Sequence, residues 1–146
     1  MVTLRPFCHN DWQVITSYQY PGMCKADALQ LIEQFNALTY QGKFQKFLAV
    51  LQNEEIAGFV SLIEQTEGVV SIGVEVYEPF RRQGCAYEGI SQLLLLAKSC
   101  GYPIASGQVR KDNTASLALC KKLGFTIVGE AVNSRGKPVY NLVKSI

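Results

Sequence analysis

Apolar positions along the chain change their spacing several times, and each change marks an element. Val2 to Phe7 alternates as a strand, and Pro6 points to an edge position because proline has no amide to offer a neighbour. Asn10 or Asp11 can cap a short helix to about Tyr18, after which Pro21-Gly22 breaks the chain. From Lys25 to Ala37, the residues Ala28, Leu31, Ile32 and Phe35 follow the helical period and predict an amphipathic helix. Phe47 to Gln52 and Ile56 to Glu64 read as strands joined across Asn53-Glu54-Glu55, a hairpin signal. A third strand, Val69 to Tyr77, follows Thr66-Glu67-Gly68 and completes an antiparallel meander.

The pattern then changes character. A short basic turn, Arg81-Arg82-Gln83-Gly84-Cys85-Ala86, leads into a leucine-rich helix from Tyr87 to about Ser99, ended by Cys100-Gly101 and Pro103. A strand from about Ile104 to Arg110 comes next. A helix opens at Asp112-Asn113, turns Leu117, Ala118, Leu119 and Leu123 to the core, and closes at Gly124 with Phe125 packing back. This order is a βαβα unit, and its crossover makes the Val69 and Ile104 strands parallel neighbours. Thr126 to Glu130 and about Val139 to Lys144 face each other across Asn133-Ser134-Arg135-Gly136. The predicted fold is a mixed α/β (α+β) arrangement: a mostly antiparallel sheet flanked by helices around a central βαβα unit. At 146 residues it reads as one domain, 1–146, without repeats or a linker.

Composition narrows the function classes. Hydrophobic residues at 48% and charged residues at 18% exclude a disordered chain. A net charge of +2 and a pI near 8.3 give no argument for nucleic acid, and no basic run exceeds Arg81-Arg82 or Lys121-Lys122. Five cysteines without CxxC spacing, and the single His9, form no recognisable zinc site, so no metal is expected. Cys8 and His9 are adjacent, but neighbours in a strand point apart, which argues against a thiol nucleophile. No signal peptide or membrane-length apolar run is present, and a reduced cytoplasmic protein is the expectation.

Chemistry concentrates around the basic turn. Where a strand gives way to a helix, free N–H groups and the positive end of the helix dipole face outward and favour an anion, phosphate first. Gly84 lets backbone approach a ligand, Ala86 and Cys85 keep the entrance small, and Arg81 and Arg82 add charge. The turn is neither a Walker A loop nor GxGxxG. In the preceding strand, Ile72, Val74 and Val76 point one way. Ser71, Gly73, Glu75 and Tyr77 point the other way, leaving a glycine and a carboxylate on one face. That face is either solvated or opposite a ligand. Asn113, Ser116 and Cys120 fall on one side of the last helix, where Asn113 also suits a cap.

Arg81-x-x-Gly84-x-Ala86, with Asn113-x-x-Ser116 and Lys122-Leu123-Gly124-Phe125 downstream and Leu4-Arg5-Pro6 with Asp11-Trp12 upstream, resembles the Gcn5-related N-acetyltransferase (GNAT) superfamily. The Asn-x-x-Ser motif before Leu-Gly-Phe looks most like its branch acetylating N-termini of ribosomal proteins. The resemblance implies acetyl-CoA as co-substrate. Its diphosphate would lie on the amides of Arg81, Arg82, Gln83, Gly84, Cys85 and Ala86. Its pantetheine arm would pair with backbone from Val74 to Val76, with an amide near Val76 polarising the thioester carbonyl, and Asn113 would hold it from the far side. Glu75 would take a proton from an attacking amine whose pKa is about 10.4, directly or through one water.

The sequence departs from the family where many members carry a tyrosine and this chain has Cys120. Ser116 is the alternative proton donor. Cys120 is either a donor of pKa about 8.5 or a small hydrophobe lining the cofactor. Aromatic residues from Trp12 to Phe47 mark the wall expected to meet the acceptor, a small-molecule amine or a peptide N-terminus. The oligomeric state stays open, a homodimer included. The rival reading is a non-catalytic acyl-CoA-binding module of the same fold.

Overall fold

The computed structural model describes residues 1–146. In order, the chain forms β1 (Val2–Arg5), α1 (Trp12–Val14) continuing as a π turn (Ile15–Gln19), α2 (Lys25–Asn36), β2 (Thr39–Tyr40), β3 (Lys43–Gln52), β4 (Glu55–Thr66), β5 (Val69–Val76), α3 (Cys85–Ser99), β6 (Ile104–Arg110), α4 (Thr114–Lys122), β7 (Thr126–Val132) and β8 (Pro138–Ser145). One sheet runs β1-β3-β4-β5-β6-β8-β7, with β2 added to the start of β3. Only β5 and β6 are parallel, as the crossover through α3 requires. The mixed, mostly antiparallel sheet with its central βαβα unit is the predicted fold.

The two sheet faces carry separate cores because alternate residues of each strand point opposite ways. On one face Val50, Val60, Leu62 and Val70 pack with Ile90, Leu93, Leu94 and Ala97 of α3, and Ala105 and Leu142 extend this core across the sheet. On the other, Ala49, Ile56 and Tyr77 meet Ala28, Ile32 and Phe35 of α2, with Phe7 and Ile15. The predicted stripe of α2 is therefore the buried one, with Leu31 at its margin.

β1 stops at Arg5, before Pro6, and lies at the sheet edge. Asp11 does not cap the first helix as expected. Its carboxylate accepts from the Cys8 amide at 2.8 Å, which makes it the third residue of the turn reaching back, and takes Arg5 in a two-point pair at 2.8 and 2.9 Å. Asn53 and Glu54 both have positive φ, 51° and 71°, the tight turn whose twist suits a β3–β4 hairpin. β3 begins at Lys43, ahead of the expected Phe47, and β2 was not anticipated. Ala118 is exposed and α4 has no fully buried residue, against the expected apolar face.

Candidate active site

β5 and β6 are neighbours only at Val69↔Ile104, Val70↔Ala105 and Ser71↔Ser106. Beyond Ser71, β5 stays with β4 as far as Val76, whereas β6 stays with β8 as far as Arg110. The strands therefore part, and a cleft of about 680 Å³ opens between them. The carbonyls of Gly68 and Val70 face β6, accepting from the Ile104 amide and the Ser106 hydroxyl. By two-residue alternation, the backbone groups of Ile72, Val74 and Val76 face the same side, into the gap. Tyr77 turns the other way and donates its amide to Ala57 O at 2.7 Å.

The turn after β5 closes one end of the cleft. Glu78–Phe80 forms a single 3-10 turn, and Arg82 (φ 63°) and Gly84 (φ 81°) then take the left-handed conformation. Alternation of this kind turns successive amides toward a common concavity. None of the N–H groups from Arg82 to Tyr87 donates to a carbonyl or to another residue's side chain, while Glu88 N–H returns to Gly84 O and starts the α3 ladder. Nothing lies within 4 Å of a Cβ placed on Gly84. The glycine is there for its φ, and the space beside it is open.

The far wall is α4. Asn113 caps it, its Oδ1 accepting from the Ser116 amide at 3.1 Å, so the Nδ2 group stays available. Asn113, Ala115, Ser116 and Leu119 line the cleft opposite Val74, Glu75 and Val76.

The sequence profile of the acetyltransferase (GNAT) domain matches residues 2–126. The chain belongs to the GNAT acetyltransferase family. No curated protein sequence matches it. Among solved structures, RimL, a ribosomal-protein alpha-N-acetyltransferase in complex with coenzyme A, superposes with a TM-score of 0.85 at 20% identity, over 99% of this chain and 94% of that one. YncA from Salmonella typhimurium, solved with its cofactor acetyl-CoA, gives 0.77 at 19% identity, over 99% and 94%. A chimera of the spermidine N-acetyltransferase SpeG of Vibrio cholerae and hSSAT gives 0.79 at 17% identity, over 98% and 95%. These likenesses are likenesses of fold.

Within this GNAT fold, Val74, Glu75, Val76, Arg81, Arg82, Gly84, Cys85, Ala86, Asn113 and Ser116 all line the one cleft. Glu75 is exposed and has no ion-pair partner. The Arg81 amide, expected on the diphosphate with the five that follow, is taken instead by Glu78 O at 3.2 Å, and the Arg81 Nε donates to Val76 O at 2.9 Å, tying the turn to the end of β5. The Gln83 side chain donates to Pro79 O and does not line the cleft. Cys85 presents its backbone there but buries its thiol against Gln52, and burial pushes that thiol up.

Cys120 is not brought to the cleft. It packs against the main core instead, and burial pushes its thiol up too. The expected stripe Asn113-Ser116-Cys120 thus reaches the cleft only through its first two members. Cys8 and His9 are both exposed, and no group of three or more His, Cys, Asp or Glu side chains converges to hold a metal. No helix is long and apolar enough to cross a membrane.

Tyr18, on the π turn, stacks on Tyr77 with ring centroids 5.0 Å apart, and the Tyr77 hydroxyl donates to Gln19 Oε1 at 3.1 Å. This places part of the aromatic segment predicted for the acceptor wall at the end of β5. Sequence reading missed Gly58, the buried β4 glycine opposite Val76. A glycine inside an apolar strand signals a bulge or a close backbone approach, and that signal was present.

Proposed function

We propose that this chain is an N-acetyltransferase that moves an acetyl group from acetyl-CoA to a primary amine, carried by a small molecule or a peptide N-terminus, by direct attack in a ternary complex. One observation carries the reading: β5 and β6 part beside a run of amides, Arg82 to Tyr87, that donate to no other residue of the protein.

The amides of Arg82 to Ala86 suit the cofactor's diphosphate, since donors and helix dipole act on the same anion. Val74 and Val76 offer strand-edge groups to an extended amide-bearing arm, and Asn113 Nδ2 a donor from the opposite wall. The Val76 amide stabilises negative charge developing on the thioester oxygen. Glu75 accepts the amine's proton, directly or through one water, so that neutral nitrogen attacks. The new bond joins that nitrogen to the carbonyl carbon, the carbon–sulfur bond breaks, and the sulfur takes a proton. Ser116 is the donor on the cleft wall, in preference to Cys120, which faces the core.

Thiol release from acetyl-CoA over a panel of amines and peptides, with calorimetric binding of coenzyme A, tests this. Gly84→Glu sets a carboxylate against the amides and is expected to weaken coenzyme A binding at least about 100-fold, or about 2.7 kcal/mol. Gly84→Asn, which tolerates the left-handed backbone, controls for strain and should lose far less. Binding of coenzyme A without turnover on any acceptor would favour the non-catalytic acyl-CoA module. Full activity in Glu75→Gln would remove the base assignment and leave the cofactor site standing.

A further inference from the structure

We infer that Gly58 is a positioning residue for acetyl transfer, acting through the peptide that joins Glu75 to Val76; this rests on the acetyltransferase reading above. β3 pairs Val50 with Gly58 and then Leu51 with Ile56, so Ala57 is an extra residue and β4 is bulged at Ala57–Gly58. On its other edge, Gly58 faces Val76. A Cβ on Gly58 would sit 2.9 Å from the Glu75 carbonyl carbon and 2.9 Å from Val76 Cα, and closer still to the Glu75 carbonyl oxygen. Every one of these atoms is backbone, so no side-chain rotation relieves the clash. The glycine is not required by its own dihedrals, because its φ lies outside the positive range. It differs in this from Gly84, which is kept for its φ and has open space around it.

The consequence follows from peptide geometry. The chain has no cis peptide bonds, and a trans peptide points its C=O and N–H in opposite directions. With the Glu75 carbonyl directed at Gly58, the Val76 N–H is directed away from β4, into the gap that β6 has left. The empty Cβ position on Gly58 thus aims the amide assigned to the thioester oxygen. The same peptide begins at Glu75, so a shift there also moves the backbone carrying the proposed base. Any side chain at position 58 pushes the peptide toward the cleft or rotates it, and displacements of about 1 Å cost on the order of 100-fold in such sites.

The test follows the backbone amides of Val76 and Ala86 by NMR, together with kinetics. In the wild type, acetyl-CoA should shift both amides, and coenzyme A, which lacks the thioester carbonyl, should shift Ala86 but much less Val76. Gly58→Ala should abolish the acetyl-dependent shift at Val76 and retain the shift at Ala86. Its kcat should fall at least about 30-fold, while KM for acetyl-CoA stays within about threefold. Val60→Ala, a cavity in the same strand, controls for lost stability and should keep both the Val76 shift and kcat within about threefold.

Unchanged kcat and an unchanged Val76 shift in Gly58→Ala would overturn the inference, as would equal losses of kcat in Gly58→Ala and Val60→Ala. Absence of any wild-type shift at Ala86 would overturn the acetyl-CoA reading itself, and this inference with it. Hydrogen exchange in the free wild type tests the orientation without a variant. Val76 should exchange much faster than Tyr77, whose amide is bonded to β4, and slow exchange at Val76 would overturn the assignment.

Discussion

The two lips of the cleft belong to halves of the sheet that are packed differently. β1, β3, β4 and β5 are covered on both faces, by α3 on one and α2 on the other, and this half holds the fully buried Val50, Val60 and Leu62 of the strands with Ile32 of α2 and Leu93 of α3. β6, β8 and β7 form a thinner half. α4 has no fully buried residue, and the edge strand β7 leaves Val128 60% and Val132 67% exposed. The halves share the Val70–Ala105 region of the main core and three pairs of strand residues. Val74, Glu75, Val76 and the amide run therefore rest on the well-packed half, whereas Asn113 and Ser116 ride on a lightly held helix. Local stability follows buried apolar contact, so the cleft has one stiff wall and one compliant wall.

Core truncations probe this difference most strongly. Leu93→Ala, on the buried face of α3, should cost about 2–5 kcal/mol of global stability, as large-to-small changes in well-packed cores do. Leu119→Ala, half-buried on α4, should cost less than about 1.5 kcal/mol and speed amide exchange within α4 alone. Urea unfolding and exchange rates check both, and equal global losses would erase the distinction between the halves.

Acid sharpens the comparison at the opposite end of the packed half, where Asp11 ties β1 to the first helical turn. Burial works against its charged form, but the Arg5 guanidinium and the Cys8 amide outweigh it and hold the carboxyl below its usual range. A carboxylate lowered on folding contributes stability above its unfolded pKa of about 3.9, and that contribution is lost as pH falls through the folded value. Asp11→Asn should cost about 1–3 kcal/mol at neutral pH and flatten the loss of stability below about pH 4. Melting temperatures of both proteins across that range measure it. Parallel pH curves would show the pair to be energetically idle.

Strands, hairpin and crossover were legible because local chemistry and tertiary structure agree there. Asn53 and Glu54 tolerate the positive φ the turn demands, and the apolar period of α2 is the face it buries. The start of β3 was not legible, because Gln45 reads as a loop residue. It is buried at 6% exposure and spends its amide on the carbonyls of Gln34 and Ala37, capping the end of α2. The parting of β5 from β6 leaves no mark on the pattern, since Ile72, Val74 and Val76 alternate alike whether or not a neighbour pairs with them. Polar residues at helical spacing placed Asn113 and Ser116 on one wall. Cys120 has the same spacing but is half-buried against the main core, and a helical stripe alone does not distinguish that place from one on the wall.

The smallest effect is expected where the compliant wall touches the stiff one. Lys122, near the end of α4, holds its ammonium 4.3 Å from the centre of the Tyr87 ring, and Tyr87 lines the cleft from the first turn of α3. Lys122 is exposed, so the attraction is worth about 0.5–1 kcal/mol, too little to move the global transition by more than a few degrees. Its leverage is local, because the contact bridges α4 to α3 beside the amide run. Lys122→Met keeps much of the apolar stem and removes the charge, so any change reports the cation and not the packing. Exchange should quicken at the α4 amides and stay constant in α3, with coenzyme A affinity falling no more than about fivefold. A loss of affinity as large as that of Gly84→Glu would mean that Lys122 contacts the ligand directly, and that this lip of the cleft grips the cofactor as firmly as the other.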